Sequence, residues 1–201
     1  MRWIERLGPA PSRHAFIGFT VGVILTAAIV KSFTFVPIID NVNFVFHEAG
    51  HQIFGFFGTT ILLLGGGIGQ MIFPVATTVH FLRRRQLLSA ACCTLWGFES
   101  LRNTAIYVGD ARAQVLPIIG TGHDWHQLLR RWGLLESDTH IAGFLTFTSW
   151  SGWIAVWLIV YLRYRQGAEE QEINAEKERR AAIIQRARES ERIRQSKRHP
   201  D

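Results

Sequence analysis

Asn43-Phe44-Val45-Phe46-His47-Glu48-Ala49-Gly50-His51 carries the pattern H-E-x-x-H inside an apolar run that continues to about Leu64. The spacing predicts a helix with His47 and His51 one turn apart on the same face, where two imidazoles can hold a single metal ion. Glu48 then lies beside that face, placed to take a proton from a water activated at the metal. Three ionisable groups within five residues of apolar sequence are costly to keep without a task, so we read the metal as Zn2+, the histidines as its ligands and Glu48 as a catalytic base. The competing reading is of histidines that only hydrogen-bond to neighbouring helices. Gly50, lacking a side chain, lets another helix or a peptide come close to the metal face.

The 201 residues are 48% hydrophobic, with a mean hydropathy of +0.11. Their apolar residues come in blocks, the pattern of a polytopic membrane protein. The expected fold is all-α, with about five transmembrane helices and a charged helical C-terminal tail. The net charge of +6 fits a positive-inside membrane protein better than a nucleic-acid binder, because no aromatic-interleaved basic surface accompanies it. The lipid bilayer is thus one partner, and nucleic acid is not. Cys92 and Cys93 are adjacent in an apolar segment and read as packing residues. Arg2, Arg6 and Arg13 precede an apolar block too long for a signal peptide. The organisation expected is an N-terminal segment (1–14), a membrane domain (15–165) and a cytoplasmic tail (166–201).

A first span is expected from Ala15 to Val36, closed by Pro37, and Asp40 and Asn41 start a second that carries the metal motif in its first half. Gly55, Gly58 and the run Gly65-Gly66-Gly67-Ile68-Gly69 loosen the end of that span, serving either close helix packing or a substrate-side break. A short third span follows from about Ile68 to Leu82, contains Pro74 and stops at Arg83-Arg84-Arg85, a cytoplasmic edge on the positive-inside rule. The fourth runs from about Leu87 to Val108. The fifth, about His140 to Leu162, carries Trp150, Trp153 and Trp157 and ends in Tyr161, Arg163, Tyr164 and Arg165 as an interface anchor. Beyond it Glu alternates with Lys and Arg, as in an exposed helix laced by i,i+4 pairs.

The third metal ligand has several candidates. His123 and Asp124 precede the amphipathic stretch Trp125 to Leu135; either can be delivered to the metal on the loop around Gly120-Thr121-Gly122, whereas the bland role for Asp124 is to cap that helix. Asp110 competes, with Arg112 as its alternative ion-pair partner. Glu99 is either a ligand, with Asn103 orienting a histidine, or the partner of Arg102 one turn away, and the ion pair is the favoured reading. His80, His126 and His140 read as interfacial. Counting five spans from a cytoplasmic tail places the amino terminus outside and opens the metal motif toward the cytoplasmic half. The His123-Asp124 loop then falls on the opposite side, so either it re-enters, or one segment only dips into the membrane, or Glu99 is the ligand.

Through H-E-x-x-H within a polytopic core, over about Asn41 to Leu162, the chain resembles the membrane-embedded zinc metalloproteases of the site-2 protease type, in particular their short bacterial relatives. The resemblance implies His47 and His51 as zinc ligands, Glu48 as base, a membrane-associated protein substrate and a bacterial plasma-membrane location. That family takes its third ligand from an aspartate in an Asn-Pro-Asp-Gly type motif, which this chain lacks; Gly109-Asp110-Ala111 and His123-Asp124-Trp125 are the nearby substitutes. The function expected is a zinc-dependent intramembrane or membrane-proximal endopeptidase. The alternatives are a zinc hydrolase of lipid amides, a non-catalytic membrane protein that retains the motif, and an ion transporter.

Overall fold

A computed structural model describes residues 2–117 and 122–198. Gly120 and Thr121 of the expected loop lie outside the described residues. Seven α-helices follow one another: α1 (Arg2–Glu5), α2 (Arg13–Ser32), α3 (Ile39–Phe54), α4 (Thr59–Arg83), α5 (Leu87–Gly109), α6 (Asp124–Arg131) and α7 (Asp138–Arg198), with 3-10 turns at Gly55–Phe57 and Leu135–Ser137. Among the described residues there is no strand. Among the described residues three helices are long and apolar enough to cross a membrane: α2, α4 and the part of α7 within Leu135–Ser190. Helix α2 turns Ile17, Val21, Ile24 and Leu25 outward and buries only Val30. An apolar helix with its apolar side chains exposed is what a hydrocarbon solvent selects.

Helix α5 is the centre of the bundle. Its Leu87, Ala91 and Leu95 pack with Trp153, Val156 and Val160 of α7 and with Val30 and Val36. Close approach to α7 is set at Gly152, where a Cβ would fall 2.2 Å from the Phe98 ring. The Ser149 hydroxyl donates to the Phe98 carbonyl at 2.6 Å. The other face of α5 is polar and meets α4, where the Gln70 amide donates to the Thr104 hydroxyl and the Thr78 and Thr94 hydroxyls lie 3.3 Å apart. Pro74, inside α4, has no N–H for the carbonyl of Gln70 four residues back. The Ser100 hydroxyl of α5 donates to that carbonyl instead, at 3.5 Å. In a medium without water a freed carbonyl needs such a neighbour.

These contacts make α2, α4, α5 and α7 alternate in direction. Phe16 of α2 stacks on Tyr164 of α7 with ring centroids 4.5 Å apart, and the Trp157 indole donates to the Thr20 hydroxyl at 3.2 Å. At the same end the Arg163 guanidinium donates to the Gly8 carbonyl at 3.0 Å and Arg85 to the Glu5 carbonyl at 3.3 Å. The amino-terminal segment, the triple-arginine turn and the root of the tail therefore share one end, and the expectation of an amino terminus opposite the arginine turn is corrected.

Two further expectations change. The glycine run does not separate two spans, because α4 continues unbroken from Thr59 to Arg83. Helix α3 is shorter than the expected second span, and its contacts with α4 extend only from Phe73, which stacks on Phe46, to Leu62, which meets His51. It thus occupies only the half of the bundle remote from the arginine turn. The connection into it turns sharply at Ile38, whose φ of 78° and ψ of −63° describe a strained γ-turn for a β-branched residue.

Candidate metal centre

Helix α3 lies on α4 with backbone against backbone. A Cβ at Gly50 would stand 2.0 Å from the Gly65 carbonyl oxygen, and one at Gly69 would stand 2.4 Å from that of Phe46. The glycines are packing residues, and small residues allow this approach where side chains would hold the helices apart. Gly66 serves the site directly, because a Cβ there would fall 2.3 Å from His47 Nε2. The His47 ring occupies the space that this glycine leaves.

His51 Nδ1 lies 2.7 Å from the Leu62 carbonyl oxygen. A carbonyl only accepts, so Nδ1 carries the proton and the lone pair sits on Nε2. Asp124, the first residue of α6, completes the arrangement. Its Oδ2 is 3.2 Å from His47 Nε2 and 3.1 Å from His51 Nε2. Three ligands bonded at about 2.0–2.1 Å in a tetrahedron have donor atoms about 3.3 Å apart, since the edge is about 1.63 times the bond. The donor set of two imidazoles and one carboxylate, at these separations, fits zinc. The donor atoms of His47, Glu48 and His51 all lie within 4.8 Å of one another, and Glu48 is exposed to solvent beside the two half-buried histidines.

Asp124 reaches the histidines because its neighbour does the capping. His123, rather than Asp124, is the N-cap of α6, its Nδ1 accepting from the His126 N–H at 3.2 Å. The His123 ring stacks on Tyr107 with centroids 4.2 Å apart and sets Nε2 3.5 Å from Asp110 Oδ2. Burial pushes this imidazole below its ordinary range, against the pull of Asp110 and Asp124. A neutral ring suits an Nδ1 that accepts. His123 therefore stays outside the cluster. So does Asp110, whose carboxylate accepts from the Val115 and Leu116 N–H groups at 2.9 and 3.0 Å and shapes the turn after α5. Arg112 pairs not with Asp110 but with Asp138 at 2.8 Å and Glu136 at 2.8 Å, tying this turn to the start of α7.

Glu99 joins neither the histidines nor Arg102. The Asn43 amide donates to its Oε2 at 2.8 Å, while Arg102 donates to the Phe33 carbonyl at 3.1 Å, so the expected ion pair is replaced by a bond between helices. Asn103, expected beside a histidine, donates to Asp40 at 3.0 Å, and the Trp96 indole donates to the Asn43 side-chain Oδ1 at 2.9 Å. This buried network fastens α3 to α5. His80 packs edge-on against Phe81, His126 Nδ1 lies 2.7 Å from the Ala111 carbonyl oxygen, and His140 is exposed; all three lie outside the cluster.

Tyr107 carries no signal in the sequence, yet its hydroxyl accepts from the Asp124 N–H at 3.1 Å and stands 3.5 Å from Asp124 Oδ2. It fixes both the backbone and the carboxylate of the residue that faces the histidines. A cavity of about 840 Å³ opens onto His47, Glu48, His51, Tyr107 and Asp124 and extends toward Asp40, Gln70 and Asn103. No protein-family model, no curated protein and no solved structure matches the chain.

Proposed function

We propose that the chain is a zinc-dependent endopeptidase acting in or beside a bilayer. The observation that carries this reading is the approach of Asp124 Oδ2 to within 3.2 Å of both histidine Nε2 atoms. Two imidazoles one turn apart, a carboxylate from elsewhere in the chain and an adjacent free-standing Glu48 are the parts that metal-assisted hydrolysis requires. His47, His51 and Asp124 would hold the ion, which when bound supplies Lewis acidity toward a carbonyl and activates water. Glu48 takes the proton from the attacking water and returns it to the leaving amine, a transfer that general acid–base catalysis makes worth about 10²–10⁴ in rate. Tyr107 keeps the Asp124 carboxylate aimed at the histidines. The cavity beside them is large enough for several residues of an extended peptide, and its apolar wall of Phe44, Leu62, Leu63 and Ile106 limits bulk water.

We propose a bacterial plasma-membrane location, which follows from the resemblance to short bacterial site-2-type proteases, and a cytoplasmic tail, which its density of arginine supports on the positive-inside rule. The test pairs metal content with cleavage. Detergent-purified protein should carry about one zinc per chain, lost in His47→Ala, His51→Ala and Asp124→Ala and kept in Glu48→Gln, which should no longer cleave a peptide library. A wild type without zinc after resupply refutes the reading. Cleavage of lipid amides in place of peptides would move it to another hydrolase.

A further inference from the structure

We infer that the candidate metal centre opens on the side of the membrane opposite the arginines, and that its substrate is the non-cytoplasmic juxtamembrane segment of a membrane protein. The inference about substrate rests on the endopeptidase reading above; the inference about side does not.

The argument begins with where the cations lie. Of the 22 lysines and arginines, Arg102 sits within α5 and only Lys31, Arg112, Arg130 and Arg131 lie toward the metal-centre end. The other seventeen are in the amino-terminal segment, in Arg83–Arg85 and in α7 from Arg163 onward. The contacts of Gly8 with Arg163 and of Glu5 with Arg85 bring these three regions to one end of the bundle. Lysine and arginine bias near the ends of spans sets orientation, so this end is cytoplasmic. Of the four cations toward the other end, Arg112 is neutralised by Asp138 and Glu136.

Depth follows from α5. Its 23 residues measure roughly 34 Å at 1.5 Å per residue, close to the thickness of a hydrocarbon core. Tyr107, which holds Asp124, is near the end of α5 remote from the arginine turn. The metal centre is therefore roughly 30 Å from that turn. With α2, α4, α5 and α7 alternating in direction, the three lipid-facing spans and α5, shielded at the centre of the bundle with ten residues buried, make four passages that return the tail to the side of the amino-terminal segment. Helix α3 then enters from the far side without crossing, and α6 lies beside it. This arrangement removes the conflict that five crossings create, because His47, His51 and Asp124 all sit at one end.

The cavity points the same way. Thr34 and Phe35, before α3, Thr59, at the start of α4, and Leu116 and Pro117, after α5, line it, and all belong to connections at the far end. The connections at this end carry exposed apolar residues: Phe35, which lines the cavity, at 52%, Ile38 at 77%, Phe56 at 90% and Phe57 at 70%. Apolar side chains exposed together in this way are stable against acyl chains and not against water, as on the apolar face of an interfacial helix, so this end lies at the membrane surface rather than out in water. A chain segment just leaving the bilayer on that side is what reaches it.

Single cysteines read the orientation without any activity. In a Cys92→Ala/Cys93→Ala background, Val115→Cys and, as a second far-end position, Leu134→Cys are compared with Gln86→Cys and Glu178→Cys. Intact cells are treated with a membrane-impermeant maleimide, with and without permeabilisation. Far-end cysteines should label in intact cells, and Gln86→Cys and Glu178→Cys only after permeabilisation. Labelling of all four from one side, or the reverse pattern, overturns the inference about side. An impermeant chelator added to intact cells should also strip zinc from the wild-type protein; retained zinc, removed only after permeabilisation, counts against it equally. Protein with no zinc under any condition refutes the endopeptidase reading and the substrate inference with it, while the labelling still decides the side.

Discussion

Replacing Gly66 by alanine tests whether the close seat of α4 against His47 sets the metal geometry. In the middle of a helix, glycine to alanine gains about 1 kcal/mol of intrinsic propensity, so the substitution by itself favours α4. The new Cβ, however, would lie 2.3, 2.4 and 2.6 Å from three atoms of the His47 ring. Ordinary contact between such atoms begins near 3.5 Å, so the ring must retreat by about 1.2 Å. Ligand positions in a metal site tolerate about 0.2 Å. Retreat on this scale should lower zinc affinity at least as much as losing an outer-sphere partner, about 10–100-fold. Gly67→Ala is the internal control, because its Cβ would meet nothing nearer than the Trp125 ring at 3.9 Å. The assay is zinc retained by purified protein against graded chelator, with thermal unfolding of each variant alongside. Gly67→Ala should match or exceed wild type in both; Gly66→Ala should remain folded and lose zinc. If Gly66→Ala binds zinc like wild type, the seat does not set the geometry and the reasoning fails.

Other expectations separate neighbouring residues. Asp124→Ala should lose zinc, whereas His123→Ala should keep most of it and instead lower thermal stability by about 1 kcal/mol through the lost cap, read by denaturation. Tyr107→Phe, which removes the hydroxyl bonded to the Asp124 N–H, should weaken zinc binding about 10–100-fold with little change in unfolding temperature. Ile38→Gly should relieve a positive-φ strain worth about 1–3 kcal/mol against a glycine entropy cost of about 0.5–1 kcal/mol, a net gain visible as a higher melting temperature.

The motif itself was legible because H-E-x-x-H is local: helical spacing alone brings His47 and His51 together. The third partner was narrowed to a few candidates, Asp124 among them, and no further, because it is 77 residues from His47 and depends on which of two adjacent residues caps α6. His123 and Asp124 are both competent caps, and the stacking of His123 on Tyr107 tips the choice without leaving a trace in local sequence. The glycine run misled for a related reason. Each glycine weakens an isolated helix, but Gly50, Gly65 and Gly69 are compensated by backbone contact between α3 and α4, a tertiary effect that local propensity cannot report. Likewise Glu99 and Arg102 are well spaced to pair on one helix, yet Asn43 and the Phe33 carbonyl, from other segments, claim them separately. The apolar blocks gave the all-helical membrane architecture readily; α3 was over-extended because its apolar run continues into α4 across the Gly55–Phe57 turn.

The unbroken course of α7 bears on how access to the candidate site can be controlled. Beyond Arg165 the helix continues through Arg198, about 50 Å at 1.5 Å per residue, leading away from the end where Asp124 meets the histidines. Continuing as one helix through Arg198, the described part of the tail leads away from the cavity and does not cover it. A partner that grips the described tail is joined to the metal-centre end through α7 itself, whose first residue, Asp138, pairs with Arg112 in the turn after α5.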